Sequence, residues 1–211
     1  MRSTAPMKGN PWPHAMVISV DPDPQQILEL LWVREAWGLR PADVDVPMLV
    51  GAPERVGEPT DRDAWETAWP QVWEDVVQHT GVLVEPSRFE DELRRAAVGS
   101  QERAELLRRA FGPSWRDRFG DDAFGEEFRT WSHRRFEEQK AQRPRSVAES
   151  PERMALDALV PAWEAGLAKV VTIPCRGDYT RVIGGSVLLV TEDTRRDADR
   201  YAAALEAFDR R

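Results

Sequence analysis

The sequence predicts an α+β fold, or the related α/β class, in which both chain ends build one small sheet and the middle is a large helical section. The clearest strand-like runs lie near the two ends, at residues 16–20 and between residues 169 and 191. Residues 60–140 carry repeated helix-start and helix-stop signals instead. Apolar residues make up 41% of the 211 residues, which suffices for a substantial core.

This pattern predicts a flexible tail over residues 1–15 and a single α+β domain over residues 16–211. Within that domain we expect the helical middle at 60–140 and a helix–strand–strand–helix unit at 150–210. A helical domain inserted between the two halves of the sheet domain is the alternative that the same pattern allows.

A strand followed at once by a helix is predicted at the start of the domain. Residues 16–20 (MVISV) form an apolar run that ends at Asp21 and a proline. Asp23 can then cap a helix, Pro24 suits the first helical position, and Gln26 can close a capping box. Apolar residues cover most of the circumference of this helix, so we expect it to be deeply buried.

A short strand is predicted next, at residues 47–50, among residues rich in Pro, Gly and acidic side chains. The first helix of the middle section follows it. That helix begins at the capping segment 60–63 and ends near Gly81. Pro70 lies inside it, where a missing N–H group is expected to kink or divide the helix.

Three more helices complete the predicted middle section. One begins with a capping box at 87–90, and a second of the same design spans 100–111. The third begins at Asp121 or Asp122. Residues 139–150 have almost no apolar side chains and are predicted to form an exposed connection.

The last sixty residues predict a helix, three strands and a second helix, with the last two strands joined as a hairpin. Ser150, followed by a proline, starts the first helix, and Pro161 is expected to kink it. Strands are predicted at 169–174, 179–183 and 186–191. Gly184 and Gly185 can close the hairpin because glycine takes positive φ freely, and Thr194 is expected to cap the final helix.

The composition excludes several classes of protein. A net charge of −8 argues against nucleic acid as a partner, and no apolar run approaches the roughly 18 residues of a membrane span. The single cysteine excludes an intramolecular disulfide and a zinc site built mainly from thiolates. Phosphate-loop and dinucleotide-binding motifs are absent, so no cofactor is expected. Residues 1–15 carry no export signal, which predicts a soluble, cytoplasmic protein.

Cys175 and Arg181 form the first candidate site. The two residues are six positions apart after an apolar strand, a spacing that resembles the Cys-x5-Arg phosphate loop of the cysteine-dependent phosphatases. The resemblance implies a thiolate nucleophile at Cys175 and an arginine that holds phosphoryl oxygens at Arg181. Asp178 replaces the usual glycine, and a strand-like run follows where that family has a helix. The alternative is that Cys175 is a small apolar residue of the core.

Four carboxylates form a candidate metal site. Asp21 and Asp23 follow the first predicted strand, and Glu192 and Asp193 follow the last. Ligands of open α/β sheets gather at the edge where such strands end, and carboxylate oxygens suit Mg²⁺. The alternative is that Asp23 and Asp193 are helix caps.

Trp65, Trp69 and Trp73 share one face of a predicted helix and form a candidate binding surface. Exposed indoles could contact a ligand or a partner, since tryptophan is enriched at interface centres. Buried indoles would instead be large core residues.

Two functions follow from these observations. The first is a soluble, non-enzymatic binding or adaptor protein with an unknown protein or small-molecule partner, self-associating as a homo-oligomer through its tryptophan-rich surface. The alternative is a small phosphate-ester hydrolase that uses Cys175 and Arg181.

Overall fold

The computed structural model describes residues 11–82 and 86–209. Most of the predicted tail and the side chain of Ser87, which the predicted capping box uses, lie outside the described residues. In chain order the helices are α1 (Gln25–Ala36), α2 (Arg62–His79), α3 (Pro86–Arg95), α4 (Gln101–Phe111), α5 (Trp115–Phe119), α6 (Glu126–Ala141), α7 (Pro151–Met154), α8 (Leu156–Glu164), α9 (Glu192–Arg196) and α10 (Ala198–Asp209). Within the described residues, no helix is both long and apolar enough to cross a bilayer.

The sheet confirms the predicted α+β class, because strands from both chain ends form it. Its strands are β1 (Ser19–Asp21), β2 (Lys169–Ile173), β3 (Thr180–Ile183) and β4 (Val187–Thr191), in the spatial order β1-β2-β4-β3. β1 and β4 both run parallel to β2, and β3 runs antiparallel to β4. Gly184 and Gly185 join β3 to β4 as predicted, with φ angles of 55° and 73°.

Helices cover both faces of the sheet. Val171, Ile173 and Leu189 pack in one apolar cluster with α1, α2, α5 and α6. Val170 and Leu188 point to the opposite face and pack in a second cluster with α8 and α10. Successive strand residues face opposite sides, so β2 and β4 are apolar on both faces and read as continuous apolar runs.

The start of α1 differs from the prediction. Helix α1 begins at Gln25, and no side chain caps it. Asp23 Oδ2 instead accepts a hydrogen bond from Gln25 Nε2 at 2.8 Å, and Asp21 Oδ1 accepts one from the Asp23 N–H at 3.3 Å. The two carboxylates therefore stabilise the turn between β1 and α1, as aspartate commonly does, rather than the first turn of the helix. The predicted deep burial of α1 is confirmed.

The prolines inside α2 and α8 do not divide these helices. In α2, the ring of Trp69 next to Pro70 is fully buried, and its Nε1 donates a hydrogen bond to the Leu30 carbonyl at 2.9 Å. This packing against α1 holds the helix together across the residue that lacks an N–H donor.

Two predicted elements that begin in the first 125 residues differ from the prediction in the described structure. The predicted strand at 47–50 is a single backbone bridge between Leu49 and Cys175. The helix predicted from Asp121 begins only at Glu126, since the Asp121 carbonyl accepts a hydrogen bond from the Phe124 N–H in a turn and its carboxylate pairs with Arg116.

The last helix also begins later than predicted. Thr194 lies inside the short helix α9, which Thr191 caps, and the two hydroxyls lie 2.8 Å apart. The final helix, α10, is capped by Asp197, whose Oδ1 accepts the N–H groups of Asp199 and Arg200 at 3.1 Å each. The predicted caps at Ser100 and Ser150 are confirmed.

Candidate functional site

The carboxyl ends of β1, β2 and β4 meet at one edge of the sheet, because the three strands are parallel. Helix α6 packs across this edge. Arg135 Nη2 donates to Glu192 Oε1 at 2.7 Å and to the Pro22 carbonyl at 3.3 Å, and Gln139 Nε2 donates to the same carbonyl at 2.6 Å. One helix of the middle section is thereby attached to the residues that follow both β1 and β4.

A cleft of about 540 Å³ opens beside α6 at this edge. Its walls come from β1, β2, the end of α6, the connection at 142–149, α7 and α9. Its lining residues are Val20, Pro22, Gln139, Gln142, Arg143, Pro144, Arg145, Glu149, Pro151, Met154, Thr172, Glu192, Arg195 and Arg196. The edge cleft, as we name it, therefore combines apolar side chains with four arginines, and its volume is within the range usual for ligand sites.

A buried ion pair positions the helices α7 and α9 that border the edge cleft. Glu152 of α7 accepts hydrogen bonds from Arg195 Nε at 2.7 Å and Nη2 at 2.9 Å. The Glu152 side chain is only 4% exposed. Two parallel hydrogen bonds between a guanidinium and a carboxylate fix both distance and direction, so this pair locks α7 to α9.

The other charged groups of α9 are also engaged. Glu192 pairs with Arg135, whose side chain is only 11% exposed. Arg196 donates to Asp193 at 3.3 Å and to the side-chain oxygen of Gln142 at 2.9 Å. The last bond joins α9 to the start of the connection on the opposite side of the edge cleft.

Thr172 contributes a hydroxyl to the floor of the edge cleft. The residue is only 1% exposed and belongs to β2, one position before its last residue. Because Thr172 lines the cleft, its hydroxyl can donate or accept a hydrogen bond with a molecule bound there.

Cys175 and Arg181, the predicted nucleophile and its arginine, do not line the edge cleft. The Cys175 side chain is buried in the core, and burial raises the pKa of its thiol to about 12. Arg181 Nη2 donates to both carboxylate oxygens of Glu74 on α2, at 2.6 and 2.7 Å. A protonated thiol and an arginine already paired with a carboxylate do not favour phosphoryl chemistry.

The four predicted metal ligands are not brought together. Asp21 and Asp23 line a separate cleft of about 440 Å³, and Asp21 pairs with Lys169 at 3.1 Å. Glu192 lines the edge cleft and pairs with Arg135, while Asp193 pairs with Arg196. Among the described residues, no three His, Cys, Asp or Glu side chains converge as a metal site would require.

The tryptophan stripe packs mainly into the core. The rings of Trp69 and Trp73 stack at 5.3 Å, and both residues are buried. Trp65 is half-buried and makes edge contacts with Trp37 at 5.3 Å and Trp115 at 5.2 Å. The buried alternative therefore describes Trp69 and Trp73, and self-association through this stripe stays a prediction.

Sequence reasoning singled out Glu192 but missed the other polar groups of the edge cleft, above all Arg143, Arg145 and Thr172. The connection that carries the two arginines was interpreted only as exposed. The available signal was an Arg-Pro-Arg tripeptide in a chain of net charge −8. Comparison of the chain with protein-family models, with curated proteins and with solved structures found no match.

Proposed function

We propose that this protein is a binding protein that takes a small molecule in the edge cleft. The observation that carries the proposal is the position of this cleft, at the carboxyl ends of three parallel strands. In open α/β sheets, ligands bind outside this edge, where loops and helix starts converge. The mixed lining supports the same conclusion, because apolar walls with a few directed polar groups are typical of small-molecule sites.

The chemistry around Cys175 favours binding over hydrolysis. With its pKa raised to about 12 by burial, the thiol is protonated at neutral pH. Arg181 is held by Glu74 on α2, so it is already neutralised. Of the two functions that the sequence suggests, the non-enzymatic binding protein therefore fits this geometry better.

The remaining parts of the proposal rest on composition. We propose a cytoplasmic protein, because a single cysteine suits a reducing compartment. The net charge of −8 supports a small molecule or a protein as partner rather than nucleic acid. Self-association as a homo-oligomer is proposed from the abundance of tryptophan, with nine such residues in the chain.

Filling the edge cleft tests the proposal. Met154 lines the cleft and is 54% exposed, so Met154→Trp adds bulk there at little cost to folding. Val147→Trp is the matched control, because Val147 is 63% exposed and does not line the cleft. Binding is measured by saturation-transfer NMR against a panel of phosphates, carboxylates, sugars and neutral aromatics.

We expect Met154→Trp to abolish the binding of those panel members that bind the unmodified protein. Val147→Trp should leave their binding unchanged. A panel in which no member binds, or in which Met154→Trp binds as the unmodified protein does, contradicts the proposed function.

A further inference from the structure

The edge cleft carries an excess of positive charge in an acidic protein. Four arginines line it against two glutamates, Glu149 and Glu192, which leaves two positive charges. The whole chain has a net charge of −8. A local concentration of one sign inside a concave site attracts ligands of the opposite sign.

Two of the four arginines are already neutralised by protein groups. Arg195 is bound by the buried carboxylate of Glu152, and Arg196 by Asp193. Glu192 is in turn paired with Arg135, at 2.7 Å. These charges hold α7, α9 and α6 together around the cleft, so they are not the groups that a ligand would engage first.

Arg143 and Arg145 are the remaining two. Within the described residues, neither guanidinium forms an ion pair or a hydrogen bond with a protein group. The backbone between them is restrained, because Pro144 has a fixed φ and the Arg145 N–H donates to Glu149 Oε2 at 3.2 Å. Both guanidinium groups thus belong to one short segment at the rim of the edge cleft.

We propose that the ligand of the edge cleft carries an oxyanionic group, a phosphate or a carboxylate, that Arg143 and Arg145 bind. This inference rests on the proposed function and names the ligand class of the same site. The planar guanidinium presents parallel N–H donors that match two oxygens of a carboxylate or phosphate. Two such groups on one short segment can together bind the oxygens of a single anion.

The rest of the ligand is an apolar body with a polar group. Val20, Pro151 and Met154 supply apolar lining, against which an aliphatic or aromatic body can pack. The Thr172 hydroxyl at the floor supplies a hydrogen bond to a polar group on that body. The class is therefore a small organic phosphate or carboxylate rather than a free inorganic ion.

Three matched probes test this ligand class on the full chain by isothermal titration calorimetry at low ionic strength. Phenyl phosphate and benzoate carry the two candidate anions on an aromatic ring, and benzamide is the neutral counterpart. The variant Arg143→Gln with Arg145→Gln removes the proposed anion-binding groups. The control variant, Arg108→Gln with Arg129→Gln, removes two exposed arginines outside the edge cleft and changes the net charge equally.

We expect at least one anionic probe to bind about tenfold more tightly than benzamide or better. The Arg143/Arg145 variant should lose this preference, the control variant should keep it, and Met154→Trp should bind none of the probes. Tighter binding of phenyl phosphate identifies the natural anion as a phosphate, and tighter binding of benzoate identifies a carboxylate. Circular dichroism checks that each variant is folded.

Three results overturn the inference. If benzamide binds as tightly as both anions, or if the Arg143/Arg145 variant keeps the preference, the arginines do not select the ligand. Should Met154→Trp still block that binding, the proposed function stands and only the ligand class is wrong. If no probe shows binding that Met154→Trp blocks, the inference is overturned, and the larger panel then decides the proposed function separately.

Discussion

Cys175 lies two residues beyond the end of β2, and the core encloses its thiol rather than leaving it at the sheet edge. The residue pairs through its backbone with Leu49, whose segment covers it. Burial is the largest cause of the raised pKa of the thiol, and the nearby positive charge of Arg34 offsets only part of it. The spacing of Cys175 and Arg181 along the chain therefore suggested a nucleophile, whereas packing makes the Cys175 side chain unreactive.

The folded protein should resist thiol alkylation. With iodoacetamide at pH 8, we expect native Cys175 to react at least about a hundredfold more slowly than the same residue in concentrated urea, because burial excludes the reagent and a pKa of about 12 leaves almost no thiolate. Intact-mass spectrometry follows the added group. Equal rates in the native and unfolded protein would contradict this prediction and favour the hydrolase.

The same pKa shift gives a pH-dependent check. The folded pKa of about 12 lies above the ordinary value of 9.0, so the unfolded chain loses this proton first. The thiol's contribution to the free energy of unfolding is therefore complete below about pH 9 and is lost as the pH rises towards 12. Cys175→Ala should show a correspondingly weaker loss of stability over this interval.

At the scale of elements, the edge cleft depends on how α7 and α9 are held against each other. Neither helix is long, at four and five residues, so their own backbone hydrogen bonds stabilise them little. The Glu152–Arg195 pair supplies two directed hydrogen bonds between them in a largely buried setting. Removal of one buried partner leaves the other charge unpaired, which costs more than the pair itself contributes.

Glu152→Gln should therefore lower the free energy of unfolding by about 3 kcal/mol, measured by urea denaturation. Glu138→Gln is the control, because its pair with Arg134 spans 3.9 Å and both side chains are more than half exposed. We expect that exposed substitution to change stability by less than about 0.5 kcal/mol. Equal effects of the two substitutions would show that the Glu152–Arg195 pair does not hold α7 to α9.

At the scale of the whole molecule, the helical middle and the sheet share one apolar cluster. Trp73 of α2 and Trp131 of α6 belong to the same cluster as Val171 of β2 and Leu189 of β4. We propose a single domain rather than an inserted helical domain, because residues so far apart in sequence share this cluster.

A single domain should unfold in one cooperative transition. Five of the nine tryptophans lie in the helical middle, among them Trp65, Trp69 and Trp73 of α2, so this section gives the larger part of the tryptophan fluorescence. Fluorinated tyrosine, incorporated in place of both tyrosines, is the probe for the sheet. Tyr179 and Tyr201 are the chain's two tyrosines, and they pack in the clusters on the two faces of the sheet. We expect urea midpoints that coincide for the two probes. Separate midpoints would instead identify the helical middle as an inserted domain.

Local patterns in the sequence predict the order and type of most elements, because strand runs, caps at Ser100 and Ser150, and the Gly184–Gly185 turn depend on neighbouring residues. The same patterns do not predict where α1 and α6 begin, because Asp23 and Asp121 form hydrogen bonds within turns instead of capping a helix.

The candidate site depends on long-range packing that no local pattern in the sequence shows. The edge cleft requires that Ser19 of β1 lie beside Lys169 of β2, and that Arg135 of α6 reach Glu192 after β4. A single sequence does not show which residues this far apart in the chain come into contact. The burial of Cys175 depends on the same long-range packing. Local patterns determine the helices and strands, whereas the burial of their apolar faces against one another determines which polar groups come into contact.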